Sequence, residues 1–256
     1  MNISRQLVNP MLWSGGPVPG EFYEFPRICR KTESDPLKHT LYPSTSGTSV
    51  VGFTYKDGVM IAADTKGSYG SLSRFMDIDR LFKATDQAVL ACGGDIADYQ
   101  FIKDVIEQKV RDDECAGSMK VLDAGSLHCW LTRVLYNRRT RFDPLWLDCV
   151  VAGFKAGKPF LGFVNKIGMA YEADEIASGF GVHFSLPMIR DARDKKSELT
   201  KEEARKLMRE CMKILYYRDC KAHHKYQIAD ITAEGVKIDV CDFKKETNWD
   251  VAFYGN

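Results

Sequence analysis

The runs Gly47-Thr48-Ser49-Val50-Val51-Gly52-Phe53-Thr54-Tyr55 and Val59-Met60-Ile61-Ala62-Ala63-Asp64 flank a Lys56-Asp57-Gly58 turn. β-Branched and aromatic residues fill both runs, and the Asp-Gly pair supplies the positive φ that a tight hairpin needs. Thr48 therefore opens a strand whose partner ends at Asp64, which brings a hydroxyl near a carboxylate. If the chain were cut before Thr48, the freed α-amine, with a pKa of roughly 7.7–8.0, would take the hydroxyl's proton and act as its base without any histidine. A threonine at the head of a strand is by itself an ordinary strand former, so the chemistry depends on its surroundings.

Outward from this hairpin the periodicities give the layers. Strands are expected over 49–56, 59–64, 81–85 and 88–93, and Ala88-Val89-Leu90-Ala91-Cys92 is apolar enough to be buried on both faces. Asp95 stands as N-cap of a helix carrying Tyr99, Ile102, Ile106 and Val110 at helical spacing; a second helix carries Leu127, Leu131, Val134 and Leu135. A hairpin pairs Asp148 to Gly153 with Pro159 to Val164 around Lys155-Ala156-Gly157-Lys158, and short strands follow in the 170s. A helix over Ser185 to Asp194 comes next, and Thr200 with Glu203 forms a capping box before Ala204, Leu207, Met208, Cys211, Ile214 and Leu215. Strands over 226–232 and 236–240 close the domain. This order implies an α+β fold, a four-layer αββα sandwich with two antiparallel sheets between two helix layers. Residues 1–39 read as a turn-rich leader, 40–47 as a residual N-terminal arm, 48–240 as the domain and 241–256 as a tail.

Composition narrows the classes. The chain has 256 residues, 45% of them apolar, and a formal net charge of +1. That is enough for one sizeable core, with no global field to gather nucleic acid or an anionic membrane. The basic run Arg133 to Arg141 is expected on a solvated helix face or an interface. The start lacks a signal-like apolar segment, and no stretch is long and apolar enough to span a bilayer, so a soluble protein is expected. Eight cysteines at scattered spacings, with no Cys-x-x-Cys, indicate reduced thiols rather than a disulfide framework or zinc site. His223 and His224 are adjacent, and on a regular element they point in different directions, so no metal is expected there. No cofactor is expected either.

Gly47-Thr48, Ala62-Ala63-Asp64, Gly93-Gly94-Asp95 and Tyr217-Arg218-Asp219 together resemble the β-type subunits of the 20S proteasome, a family of N-terminal-threonine hydrolases. The resemblance runs from Thr48 nearly to the C-terminus and implies the N-terminal-nucleophile hydrolase fold. Active members surround the threonine with an aspartate, a lysine, a glycine whose N–H forms the oxyanion hole, an Arg-Asp pair and two serines. By motif, Asp64 fills the aspartate position, Gly94 the oxyanion glycine and Asp219 the distal aspartate. Three positions depart from the pattern. The lysine position falls on Arg80, whose guanidinium stays protonated and cannot shuttle a proton. Phe180, in Gly179-Phe180-Gly181, and Ala222 stand where the two serines belong, removing hydroxyls that would hold the terminal amine. The resemblance thus implies a vestigial site with no catalytic residue.

Leu12-Trp13-Ser14-Gly15-Gly16-Pro17, Gly67-Ser68-Tyr69-Gly70-Ser71-Leu72 and Glu246-Thr247-Asn248-Trp249-Asp250 resemble a non-catalytic member of the β ring. That resemblance implies trimming between His39 and Thr40, upstream of the ancestral junction Gly47 and Thr48, which leaves the Thr48 nitrogen an amide with no basic lone pair. The implied role is structural: building the β ring and helping to join two half-particles for ATP- and ubiquitin-dependent protein degradation. The alternatives are an active threonine endopeptidase using Thr48 and a free-standing amidase. Implied partners are six other β-type subunits in a heptameric ring, α-type subunits of the adjacent ring and β subunits of the opposite ring, with no nucleic acid and no membrane. The tail carries Phe243, Trp249, Phe253 and Tyr254, an aromatic surface expected either to embrace the facing ring or, for Trp249, to fold back on its own domain. The implied location is cytoplasm and nucleus.

Overall fold

Strand β1 (Thr45–Gly47) leads through Thr48 into β2 (Val50–Tyr55) and β3 (Gly58–Asp64), the hairpin expected around Lys56-Asp57-Gly58, with Val50 opposite Ala63 and Tyr55 opposite Gly58. The positive φ expected of its Asp-Gly pair is not found; Gly58 is a paired residue of β3, where a Cβ would lie 2.1 Å from the Ile231 carbonyl oxygen. The computed structural model of the chain describes residues 42–117, 122–155 and 157–250. The leader, the processing position at His39 and Thr40, and the tail aromatics Phe253 and Tyr254 lie outside the described residues. The further strands are β4 (Gly67–Tyr69), β5 (Leu72–Phe75), β6 (Leu81–Thr85) and β7 (Ala88–Asp95), followed by helices α1 (Ile96–Cys115) and α2 (Ala124–Thr140). Then come β8 (Leu147–Lys155), β9 (Lys158–Asn165), β10 (Ala170–Glu172), β11 (Glu175–Ala177), α3 (Gly181–Lys195), α4 (Lys201–Arg218), β12 (Lys225–Thr232) and β13 (Gly235–Asp242).

The strands form two antiparallel sheets. One runs β10-β9-β8-β7-β1-β4-β5, with β6 also on β7, and the other runs β11-β2-β3-β12-β13. Period-2 alternation sorts their side chains into three apolar slabs. Val50, Ile61, Ala63, Val89, Ala91, Val150 and Ala152 meet between the sheets. Leu90, Cys92 and Val151 turn the other way and pack under Ile102 and Ile106 of α1 and Leu127, Leu131 and Leu135 of α2. Val51, Phe53, Met60 and Ala62 face Ile189 of α3 and Met208, Cys211 and Leu215 of α4. Central strands must be apolar on both faces because each sheet is covered twice, and the αββα sandwich follows.

Four local features differ from the sequence reading. Thr45–Gly47, expected within a residual arm, is a strand of the larger sheet. The β4–β5 hairpin was not foreseen, because its strands are short and show no apolar alternation: β4 buries Gly67 and Ser68, and β5 is exposed along its whole length. Asp95 takes the N-cap position of α1 with extended backbone, yet its side chain makes no cap hydrogen bond, whereas the Thr200 and Glu203 capping box on α4 forms both of its bonds. Helix α3 starts at Gly181 rather than Ser185, with Pro187 inside it. Ser49 Oγ accepts from the Gly181 N–H at 3.1 Å and anchors an earlier turn.

The tail also requires correction. The expected end of the domain at 240 falls inside β13, and Phe243 is core rather than interface, 1% exposed and edge-on to Tyr216 at 5.6 Å. Trp249, half-exposed, lies edge-on against Tyr217 at 5.0 Å and Tyr216 at 5.6 Å, and Tyr217 Oη accepts from the Asn248 N–H at 2.8 Å. An aromatic that finds aromatic partners on a helix of its own domain has less to gain elsewhere. Phe243→Ala is expected to lower the stability of the chain itself by about 3–5 kcal/mol, measured as a shift in urea unfolding. An unchanged midpoint would return Phe243 to the interface.

Candidate functional site

Gly47 and Thr48 sit where the two sheets converge. Thr48 is flanked by β1, which lies in the larger sheet, and β2, which lies in the smaller one. Its hydroxyl Oγ1 donates to Oδ2 of Asp219, the C-cap of α4, and Asp219 Oδ1 accepts from the Lys221 N–H at 2.8 Å. The structure therefore brings Thr48 and Asp219 together across 171 positions of sequence. Asp219 makes no ion pair among the described residues, and its carboxylate is engaged by the Thr48 hydroxyl and the Lys221 N–H.

Arg80 is 0% exposed and its guanidinium is fully engaged. Nη1 pairs with the Asp64 carboxylate, Nη2 donates to the carbonyls of Thr48, Ser49 and Cys92, and Nε donates to Cys92 O at 3.2 Å. These acceptors come from the Thr48–Ser49 link, from β3 and from β7, so one side chain ties both sheets together. The fork geometry of a guanidinium suits several carbonyls at once, and a lysine ammonium would reach fewer of them. Gly47 makes room for it, since a Cβ there would lie 2.6 Å from Arg80 Nε. Gln227 on β12 fixes the loop, its Oε1 accepting from the Arg80 N–H at 2.9 Å.

Asp64 is buried, and its Oδ2 has no hydrogen-bond partner. Burial pushes its pKa up to about 6 from 3.8 despite the Arg80 guanidinium beside it, with Asp219 adding to the rise and Lys66 opposing it. Lys66 was not singled out by its sequence. It is 6% exposed and its Nζ donates to Cys220 O at 3.1 Å and Ala222 O at 3.4 Å, holding the loop that carries Asp219. The signal available was its i+2 offset from Asp64 along an extended segment, which puts both on one side.

Gly94 pairs in register with Gly47, so its backbone faces the chain just upstream of Thr48. Its φ of +99° and the Trp146 carbonyl, 2.1 Å from where a Cβ would stand, leave room for glycine alone. Phe180 is half-exposed on the rim and Ala222 is buried, neither offering a hydroxyl. Ser178, which sequence reasoning passed over, does line the same cleft, but its Oγ accepts from the Val50 N–H at 3.0 Å and thereby pins the Gly179-Phe180-Gly181 turn to β2. The cleft measures about 250 Å3 and includes Thr48, Gly94, Asp148, Lys166 and Lys221.

His223 and His224 do not diverge as their adjacency suggested. They lie in an irregular segment with ring centroids 4.1 Å apart, and His224 Nδ1 is 2.9 Å from Asp242 Oδ1. Burial, followed by the adjacent His224, lowers the His223 pKa to about 4. No group of three or more potential metal ligands occurs among the described residues.

Residues 44–231 match the model of the family described as proteasome subunit. A Xenopus laevis protein named proteasome subunit beta type-4 is 45% identical over 93% of this chain and 95% of its own length. The Drosophila melanogaster protein of the same name is 40% identical over 98% of this chain and 97% of its own. A Saccharomyces cerevisiae protein named proteasome subunit beta type-7 is 34% identical over 87% and 86%.

Two measurements test the buried pair. Arg80→Met leaves the Asp64 carboxylate buried without compensation and should cost about 3–5 kcal/mol in urea unfolding, most of it regained when Asp64→Leu is added; a neutral single variant would contradict the joint. The raised Asp64 pKa means that the folded chain holds more protons than the unfolded one between pH 4 and 6. Stability should therefore fall by up to about 3 kcal/mol as pH rises through that window. The fall should vanish in Asp64→Asn; an unaltered slope would assign it to other groups.

Proposed function

The chain belongs to the proteasome subunit family, and on that premise we propose that it serves as a non-catalytic β-type subunit of the 20S core particle. It assembles into the core with other subunits, and its role there is to build the β ring and help join the half-particles, while other members of the ring cut substrate. The ring would hold six other β-type subunits, with α-type subunits on one side and the opposing β ring on the other, in cytoplasm and nucleus.

One observation carries this reading. Upstream of Thr48 the chain does not trail away; β1 is seated between β7 and β4, with Gly47 opposite Gly94 and Ser46 opposite Ser68. While that strand stays attached, the nitrogen of Thr48 is a peptide amide. A hydroxyl in this fold draws its base from the freed amine, and an amide nitrogen has no basic lone pair to offer. Arg80 cannot substitute, since a guanidinium does not release its proton. The Asp219 carboxylate orients the hydroxyl, yet the strand opposite Gly94 occupies the place from which that glycine's N–H would meet a developing oxyanion.

The active alternative requires cleavage between Gly47 and Thr48 and removal of β1 from the sheet. In the purified particle, a threonine-directed epoxyketone should modify other β subunits and leave this chain unmodified. N-terminal sequencing of the mature chain should begin upstream of Thr48, near Thr40. A covalent adduct on Thr48, or a mature terminus at Thr48, would reverse the proposal.

A further inference from the structure

Two cysteines that the site does not use stand side by side in the larger sheet. Cys92 on β7 pairs in register with Cys149 on β8, and their Sγ atoms are 3.3 Å apart. The hydrogen-bond pattern explains the close approach. The Asp95 N–H donates to Trp146 O at 2.9 Å and the Phe154 N–H to Gln87 O at 3.1 Å, so hydrogen-bonded pairs fall at odd positions of β7 and Cys92 lies between them. Its own backbone turns away from β8: the N–H donates to Arg80 O at 3.4 Å and the carbonyl accepts from the Arg80 guanidinium. In a non-hydrogen-bonded antiparallel pair the Cα atoms are about 4.5 Å apart and the side chains lie closest, within the range of about 4.4–6.8 Å that a disulfide spans. Joining the two sulfurs therefore needs side-chain rotation and no shift of either strand.

Their position gives the pair a task. The chain leaves the larger sheet at the end of β7, builds α1 and α2, and re-enters it at β8. Cys92 and Cys149, 57 positions apart, stand at the neck of that excursion. Both pack in the slab under the helices, with Tyr99, Ile102, Leu127 and Leu131, and neither is more than 2% exposed. Burial, followed by the Cys149 thiol beside it, pushes the Cys92 thiol well above its ordinary value. A thiol buried in this way is inert, so its reaction is confined to the moments when the helix layer lifts. Cysteine is also a small hydrophobe. That accounts for either residue alone, but not for two of them set sulfur to sulfur across one register position.

We propose that Cys92 and Cys149 form a reversible disulfide when the chain meets hydrogen peroxide, a clasp that closes the neck of the α1–α2 excursion. One sulfur attacks a peroxide oxygen: an S–O bond forms, the O–O bond breaks and water leaves. The second sulfur attacks the resulting sulfenic acid: the S–S bond forms, the S–O bond breaks and another water leaves. The two thiols give up two electrons and two protons, and the peroxide is reduced to water. A dithiol reverses the step by exchange. The closed clasp ties a loop that runs through both helices, which restricts the unfolded chain and favours the closed layer. It stands on contacts within this chain and is independent of the subunit reading.

In the folded full chain the exposed thiols, Cys115, Cys129 and Cys220 among them, are first capped with N-ethylmaleimide. Hydrogen peroxide is then added in urea below the unfolding midpoint, the remaining thiols are capped after denaturation, and the digest is read by mass spectrometry. A peptide joining Cys92 to Cys149, parted again by dithiothreitol, is expected. Both thiols still free, or sulfinic acid on either without a link, overturns the pair. In a second measurement the oxidised chain is unfolded in urea beside the same chain after dithiothreitol. Oxidation should lower the unfolding equilibrium constant by about a hundredfold, and Cys149→Ala should show no such gain. An oxidised chain no more stable than the reduced one overturns the clasp, and an equal gain in Cys149→Ala overturns it by assigning the effect to other thiols.

Discussion

A guanidinium sealed from water between two sheets is the constraint on which this structure turns. Burying a charge is costly unless every donor is met and a counter-charge is at hand, and Arg80 meets both conditions by reaching carbonyls at 48, 49 and 92 and the carboxylate of Asp64. The smaller sheet supplies Asp64 and the segment entering β2; the larger supplies Cys92. Sliding one sheet over the other would strand the charge. The apolar slab between them favours contact in many registers, whereas this polar joint favours one, since hydrogen bonds are directional and hydrophobic burial is not.

The same joint accounts for the proposed chemical silence of the site. A group that holds the fold together by donating to several acceptors has no capacity left to relay protons, and Lys66, the other cation near Asp64, is turned toward the carbonyls of Cys220 and Ala222. The hydroxyl of Thr48 keeps its carboxylate partner, but β1 carries the backbone on into the larger sheet. Gly47 serves both ends of this arrangement: it lets the guanidinium pass and it pairs with Gly94. Catalytic geometry and structural fastening would draw on the same residues, and the contacts of Arg80 and Gly47 are those of a fastening.

Much of this was legible in the residues. The Lys56-Asp57-Gly58 hairpin, the doubly apolar Ala88 to Cys92 strand and the Thr200 capping box were readable because each signal is local, lying within one turn or one period of a regular element. The chemistry of Arg80, Phe180 and Ala222 was readable too: where the family resemblance implies a lysine and two serines, they offer a guanidinium that does not release its proton and two side chains without a hydroxyl. Less was visible at Ser178, Gln227 and Lys66. Their importance comes from the backbone they meet, Val50, Arg80 and Ala222 respectively, and each of those lies far away along the chain. The β4–β5 hairpin gave no apolar rhythm because the residues it buries, Gly67 and Ser68, are not apolar side chains and β5 is exposed, and Phe243 read as a loose aromatic because nothing nearby in sequence announces the pocket it fills.

By itself the sequence determined the layer order, the period of every long strand and helix, and which functional groups the candidate site could possess, since composition and spacing act through local conformational preference. Tertiary structure alone decided that Arg80 is a joint between sheets, that Thr48 faces Asp219 and that the segment before Thr48 is a strand. Those outcomes depend on distances between residues tens to more than a hundred positions apart, and such distances exist only once the sheets have closed on one another.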